Sequence, residues 1–332
     1  MTSSWKNVNL HGHFWTIAPS VFGRVKRWSL GPERTIDVVF DDPVSGRISS
    51  HGRLFNPSRS KRLYVLVHGL GGRVESPYVR HAAHTLARTG QSILRVGLRG
   101  SDGAQPDIYH AGLSEDLVHM LRTPTVQAFD EVFVIGFSLG GHIALTVGSD
   151  KNAHLADGYI SICAPFDLQA CQVKLDRAPM NVYRRHCLQG LKRTIRSALN
   201  NAKKRGIDLP VQSGMIGRIR TIYAWDEAIV VPRFGFASVE DYYQTISVGP
   251  RLGRLTAPTL IVAARHDPMV PYASLEPYFA AAEADIITLD EGAHVGFPAR
   301  QKTGQLRGLN LFDYIGQWSD AHAHGRRART MD

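Results

Sequence analysis

Long uncharged stretches are missing from this chain. No apolar run reaches the roughly 18 to 20 residues that a membrane-spanning helix needs, and Met1 to Leu10 is polar rather than a basic start followed by an apolar segment. A membrane-spanning protein and a secretory leader are therefore not expected, and the expected compartment is the cytosol. Cysteine is scarce too. Cys163, Cys171 and Cys187 are odd in number and stand in no metal or redox spacing, which excludes a disulfide-built fold and leaves buried thiols. Repeats and low-complexity linkers are absent. What remains is an ordinary globular composition, with 43% hydrophobic and 20% charged residues over 332 positions, enough for one large core with an insertion.

Acids are in short supply, 29 against 39 Lys and Arg, which leaves a formal net charge of +10. The excess is local. Lys174, Arg177, Arg184, Arg185, Lys192, Arg193, Arg196, Lys203, Lys204 and Arg205 crowd a stretch whose only acids are Asp167 and Asp176, and Arg326, Arg327 and Arg329 follow in a His-rich tail expected to be frayed. Such a stretch reads either as a solvated helix face or as a surface for anionic partners, among them an anionic membrane met through peripheral contact. A nucleic-acid partner is not expected, because no recognition motif accompanies the charge.

Short β-branched runs alternate with helical spacing, the pattern of a mostly parallel sheet wrapped by helices. Thr35 to Phe40 and Ile48 to Phe55 flank a turn-rich segment and predict an opening hairpin. Strands are then expected at Leu63 to Val67, Ile93 to Val96, Glu131 to Ile135, Tyr159 to Cys163, Pro258 to Ala263 and Asp285 to Leu289. Helices are expected from Tyr78 to Arg88, Ser114 to Leu121, Ser274 to Ala282 and Gly304 to Trp318. The expected division is an arm over 1–33, a core over 34–165 and 255–318, a basic helical cap over 166–254 between strands six and seven, and a disordered tail over 319–332.

Gly136-Phe137-Ser138-Leu139-Gly140 fits the G-x-S-x-G pattern of a sharp strand-to-helix turn that thrusts a serine hydroxyl outward. An apolar strand before it and a helical run after it supply the required context. A serine needs a base, and the base needs a carboxylate to hold its tautomer. In this architecture the chain order is serine, acid, histidine. Asp267, after strand seven, and His294, after strand eight, stand at the same sheet edge as Ser138. Asp167 and Glu291 are competing acids, Asp167 reading more readily as a helix cap. The oxyanion requires backbone amides. Leu139, heading the helix, supplies one, and Leu70 in His68-Gly69-Leu70-Gly71-Gly72 is the natural second. Neither a P-loop nor a dinucleotide glycine pattern is present, no cofactor is expected, and His11-Gly-His13, His81-x-x-His84 and His322-Ala-His324 lack carboxylate or thiolate partners at metal-ligand spacing. Tyr183, Trp225 and Phe236 are candidates for walling an acyl pocket in the cap, where aromatics equally form the cap's own core.

Together these residues resemble the α/β-hydrolase superfamily. Finer matches resemble its YheT-like hydrolases: His68 to Gly72 with Ser76-Pro77-Tyr78, Arg99-Gly100, Tyr109-His110-Ala111-Gly112 with Glu115-Asp116-Leu117, Pro165-Phe166-Asp167-Leu168, Trp225-Asp226-Glu227, Gly235-Phe236 with Asp241-Tyr242-Tyr243, and His266-Asp267-Pro268. The likeness runs from about His11 to His294. It implies a serine carboxylesterase or lipase-like enzyme acting on acyl esters, with Ser138, Asp267 and His294 as its triad. Eukaryotic relatives of that kind include phospholipases and alcohol acyltransferases, so transfer to an alcohol is the alternative, and a non-catalytic binding protein on the same scaffold is the alternative of another class. Two positions depart from the pattern. Gly292-Ala293-His294 stands where the family commonly has Gly-Gly-His, and Ser101-Asp102 where it has Cys-Ser, so that Asp102 is expected to bring a negative charge toward the site mouth.

Overall fold

The computed structural model describes residues 12–16, 28–57, 60–177 and 182–323. Its sheet begins with an antiparallel hairpin, β1 (Arg34–Asp42) and β2 (Gly46–Phe55). Asp42 Oδ1 accepts the amides of Val44 and Ser45 at 2.9 and 2.8 Å, and Gly46 takes a φ of 68°, so the turn is closed by its own polar residues. Burial alternates along much of both strands, as an edge hairpin with one solvated face requires.

The interior strands are mostly apolar and buried on both faces. β3 (Arg62–Val67), β4 (Ser92–Val96), β6 (Gly158–Ile162) and β7 (Thr259–Ala264) are buried at every position, and β5 (Glu131–Phe137) at all but its first. With β8 (Asp285–Leu289) they complete one eight-stranded sheet in the order β1-β2-β4-β3-β5-β6-β7-β8. Every pairing from β4 to β8 is parallel, whereas β2 meets β4 antiparallel. The chain leaves β3 toward β4 on one side and returns to β5 on the other, so a crevice opens at the carboxyl ends of β3 and β5.

Helices cover both faces. α1 (Pro77–Ala87) packs one face together with the C-terminal helix, while α2 (Glu115–Leu121) and α3 (Leu139–Gly148) pack the other. Between β6 and β7 the chain builds a helical layer: α4 (Leu168–Arg177), α5 (Val182–Lys204), α6 (Ile222–Trp225) running into a π-helical segment at Asp226–Val230, and α7 (Val239–Ile246). α5 buries the stripe Tyr183, Cys187, Leu191, Ile195, Ala198 and Ala202 and exposes Arg185, Arg193, Arg196, Lys203 and Lys204 on its other side. This layer joins the core beneath α3 in one hydrophobic cluster.

Three expected boundaries are corrected. The helix expected from Ser274 to Ala282 is one turn, Glu276–Phe279, after a 3-10 turn at Tyr272–Ser274, because Pro277 fits only the first turn of a helix. The last helix, α8, is Leu311–Ala321 rather than Gly304 to Trp318: Gly304 and Gly308 take positive φ of 72° and 86°, and Asn310 caps the true start by accepting the Phe312 amide at 2.8 Å. The same helix extends past position 319, so no tail begins there, and residues 324–332 lie outside the described residues. Among the described residues no helix is long and apolar enough to cross a membrane.

Arg99, fully buried after β4, ties the layers together. Its guanidinium donates to Asp116 Oδ1 at 3.0 Å, Asp42 Oδ2 at 2.9 Å, Asp107 Oδ2 at 3.4 Å and Ser45 Oγ at 2.8 Å. Asp107 in turn accepts Arg233 Nε of the helical layer at 2.8 Å.

Candidate active site

Ser138 sits between β5 and α3 at φ 54° and ψ −120°. It is one of two non-glycine residues with positive φ among the described residues, a conformation that costs on the order of 1–3 kcal/mol and persists only where its surroundings hold it. Those surroundings are evident. The Ser138 amide donates to Ile162 O at 2.8 Å and its carbonyl accepts the His142 amide at 3.0 Å. A Cβ at Gly136 would overlap the Gly140 carbonyl, and one at Gly140 would overlap the carbonyl oxygens of Val67 and His68. The two glycines of the pattern are there because strand, helix and the loop after β3 touch through bare backbone.

That loop, His68 to Gly72, is pinned at both sides of Leu70. The Gly69 amide donates to the Tyr78 hydroxyl at 2.8 Å and the Gly71 amide to the Tyr109 hydroxyl at 2.7 Å. The Leu70 amide between them has no acceptor among the described residues. Leu139, first residue of α3, likewise carries an amide that the helix leaves unused. Burial pushes the Tyr78 hydroxyl up to about 12 and the Tyr109 hydroxyl further, so both stay protonated. His68 braces the loop from beneath: its Nδ1 bonds to Gly69 O at 2.9 Å and its Nε2 accepts the Leu98 amide at 3.2 Å, which fixes Nδ1 as the protonated nitrogen. Burial lowers this imidazole to about 4, so it is neutral.

Asp267 and His294 leave the ends of β7 and β8 and meet. His294 Nδ1 lies 2.8 Å from Asp267 Oδ2, with the two residues 4% and 8% exposed. Asp267 Oδ1 accepts the amides of Met269 at 2.7 Å and Val270 at 3.0 Å, which orients the carboxylate. With Nδ1 engaged, the other ring nitrogen of His294 is the one available as a base. His294 and Ser138 line one cavity of about 550 Å³, together with Leu70 and Leu139.

The competing acids serve elsewhere. Asp167 accepts the Ala170 amide at 2.9 Å and caps α4, Glu291 accepts the Lys302 amide, and Asp102 pairs with His51 at 3.0 Å and is not among the cavity residues. Tyr183 and Trp225 line the cavity from the cap. Phe236 does not: its ring packs 5.6 Å from His110 and 4.9 Å from Tyr242, because the left-handed Gly235 turns the chain away after a short helix. Among the described residues no group of His, Cys, Asp or Glu could hold a metal.

Sequence reasoning passed over several residues found here. Tyr78 and Tyr109 gave no signal as loop anchors. Gly190 did carry one, a glycine inside a long helix: a Cβ there would overlap Gly71. Residues 12–16 form a helical turn at the cavity rim, where His13 Nδ1 lies 2.7 Å from the Tyr183 hydroxyl and Thr16 lines the cavity. Asp226, read as part of a family motif only, is a buried carboxyl in the cavity wall.

Comparison with known proteins agrees with this geometry. Residues 64–297 match the family model described as the alpha/beta hydrolase fold. The YheT protein of Escherichia coli (strain K12), assigned to the esterases, is 30% identical over 261 residues, which cover 73% of this chain and 73% of that one. A monoacylglycerol lipase of Saccharomyces cerevisiae (strain ATCC 204508 / S288c) is 26% identical over 274 residues, 78% of this chain and 61% of the lipase. Among solved structures, the Pyrococcus furiosus esterase Pf2001 superposes with a TM-score of 0.56 at 11% identity, covering 88% of this chain and 91% of the esterase, a likeness of fold.

Proposed function

The chain belongs to the α/β-hydrolase fold family and to its YheT-like branch, and from that premise we propose that this esterase- or lipase-type hydrolase is a serine carboxylesterase that cleaves acyl esters through an acyl-enzyme. The observation that carries the reading is the strained Ser138 sharing one cavity with a histidine whose Nδ1 is bound to a buried carboxylate.

In this mechanism Ser138 Oγ attacks the ester carbon while His294 takes its proton. Asp267 stabilises the resulting imidazolium, and the amides of Leu70 and Leu139 hold the oxyanion. Collapse expels the alcohol, which leaves with the proton from His294. Water, deprotonated by the same imidazole, then attacks the acyl-serine, and breaking that ester returns Ser138 and a carboxylic acid. The chemistry needs no group beyond these side chains and amides.

Release of p-nitrophenol from short acyl esters by the native protein and by Ser138→Ala tests it. Activity should vanish in the variant while circular dichroism is unchanged, and equal rates in both would remove Ser138 as the nucleophile. Added ethanol separates the two fates of the acyl group, an ethyl ester product marking transfer and a free acid marking hydrolysis.

One feature favours a lipid among the candidate substrates. Exposed Val182, Ile207 and Met215 lie on the cap near its exposed basic residues, a mixed surface suited to an anionic bilayer. Retention on phosphatidylglycerol vesicles at low salt, lost at high salt, is the expected result; indifference to such vesicles would leave simple soluble esters as the substrate.

A further inference from the structure

Two acids that the ester chemistry leaves unused line the largely apolar cavity: Glu75, which pairs with Arg95 at 3.1 Å and Arg80 at 3.4 Å, and Asp226, which has no such ion pair among the described residues. Asp226 opens the π-helical segment of the cap and is 7% exposed. Its Oδ2 accepts the Tyr243 hydroxyl at 2.6 Å, and its other oxygen accepts no hydrogen bond from the described residues. No Lys, Arg or His among the described residues comes within ion-pair distance of it. Asp176, another acid of the same layer, is a contrast. It accepts the Ile222 and Tyr223 amides at 2.8 and 3.1 Å and Gln172 Nε2 at 2.6 Å, and its acceptors are saturated within the fold.

A carboxyl group that served only to tie the cap helices together would be expected to face away from open space with both oxygens engaged. Asp226 and Tyr243 both line the cavity that holds Ser138 and His294, and the π-helical turn widens the helix where the carboxyl emerges. Gln172 lines the same wall, so the polar patch has three members. We infer that Asp226, held in place by Tyr243, is a specificity residue that accepts a hydrogen bond from a hydroxyl group on the acid or the alcohol part of the ester. The inference rests on the Ser138 esterase reading for its assay.

A hydroxyl suits this position better than a charged donor. Burial raises the Asp226 carboxyl to about 7, with nearby Asp176 adding to the rise, so both protonation forms are present near neutral pH. A hydroxyl pairs with either form, donating to the carboxylate or to the carbonyl oxygen of the acid. An ammonium group would have to shed its own hydration to meet an acid that is charged only part of the time.

The test compares matched esters that differ by one hydroxyl group. In the acid series these are p-nitrophenyl hexanoate and its 3-hydroxy counterpart; in the alcohol series, ethyl and 2-hydroxyethyl hexanoate. The readout is the ratio of kcat/KM for the hydroxylated ester to that for its plain twin, which cancels any general loss of activity. The native protein should favour the hydroxylated member about tenfold or more in one series, which also tells which side of the ester reaches Asp226. In Asp226→Ala that ratio should fall to about one. Asp226→Asn, which keeps the shape and the bond from Tyr243, guards against a failure of the alanine variant to fold, and its ratio should fall by at least about threefold. A native ratio near one in both series overturns the inference, as does a high ratio that survives either substitution. Ser138→Ala in parallel reports on the esterase reading alone: loss of hydrolysis there with no hydroxyl preference in the native protein would sink this inference and leave the esterase standing.

Discussion

Gly190 of α5 rests against Gly71 of the loop after β3 with no side chain between them. A Cβ on Gly190 would overlap the Gly71 carbonyl oxygen, and one on Gly71 would come within 2.8 Å of the Cys187 carbonyl oxygen. The cap helix is therefore part of the mould in which the Leu70 amide is set. Gly190→Ala isolates this contact, since alanine favours a helix interior by about 1 kcal/mol and any loss must come from the overlap. We expect kcat/KM for a short ester to fall at least about tenfold, measured beside a thermal melt. Undiminished activity would show that the helix yields without moving the loop.

The tyrosine anchors act on the same loop from the other side. Tyr109→Phe and Tyr78→Phe each remove one acceptor from a buried amide, at about 1 kcal/mol of stability. Either change also lets the Leu70 amide drift from the oxyanion position. Loss of a whole oxyanion donor costs about 10²–10³ in kcat, so partial misplacement should cost about tenfold in kcat with KM little changed. A rise in KM at constant kcat would assign these hydroxyls to substrate binding instead.

Asp267→Asn keeps the size of the side chain and removes the charge. Met269 and Val270 amides still need an acceptor, so the carbonyl oxygen of the new amide is held toward them and its NH₂ faces His294. That orientation forces the wrong imidazole tautomer, and kcat should fall by about 10⁴. Steady-state hydrolysis with saturating ester checks this, and a drop of less than about tenfold would mean that another acid holds His294.

Acid should loosen the fold before it protonates most carboxylates. His68 is neutral in the folded protein with its affinity for protons lowered to about 4, whereas the unfolded chain binds a proton near 6.5. Between those values the unfolded state carries the extra proton, so stability is full above about 6.5 and declines as pH falls toward 4. Buried His110 and His142, both lowered to about 3, act in the same direction. Asp226, raised to about 7, opposes them, because its folded form keeps a proton that the unfolded chain releases above 3.8. Burial also lowers His13 and His119, and it raises Asp116 as it does Asp226, so five lowered imidazoles stand against two raised carboxyls and predict a net fall in melting temperature from pH 7 to pH 5, with a steeper fall in Asp226→Asn. A flat profile over that range would contradict the neutral assignment of His68.

Much of the sheet could be read from the sequence because its strands are short apolar runs that end at polar, glycine- or proline-bearing turns, and those turns are also where Ser138, Leu70, Asp267 and His294 reside. The sharp turn at Ser138 was legible for a steric reason: glycines at 136 and 140 mark a place where backbones must touch. Asp267 and His294 were legible through chain order, an acid in the loop after strand seven and a histidine in the loop after strand eight, both downstream of the serine. The cap was harder. Aromatic residues there share one pattern whether they line a cavity, as Trp225 does, or pack on a histidine, as Phe236 does, since both roles call for burial. Hydroxyl partners such as Tyr109 and Gly71 are 38 residues apart, and no local periodicity reports on a bond of that span. The failed helix ends trace to single residues, Pro277 and the pair Gly304 and Gly308, whose backbone demands outweighed the helical spacing around them.

The Arg99 network has a consequence for how the molecule comes apart. Its bonds join positions 57 residues apart at Asp42 and 17 apart at Asp116, and through Asp107 reach Arg233 at a separation of 126. Hairpin, core and cap thus share one buried charge cluster, and detaching any one of them strands a carboxylate or a guanidinium in the interior, a loss of about 3–5 kcal/mol. Such a penalty disfavours states in which the cap or the hairpin alone is melted. It couples segments distant in sequence into a single cooperative unit, whose unfolding should register as one transition by every probe.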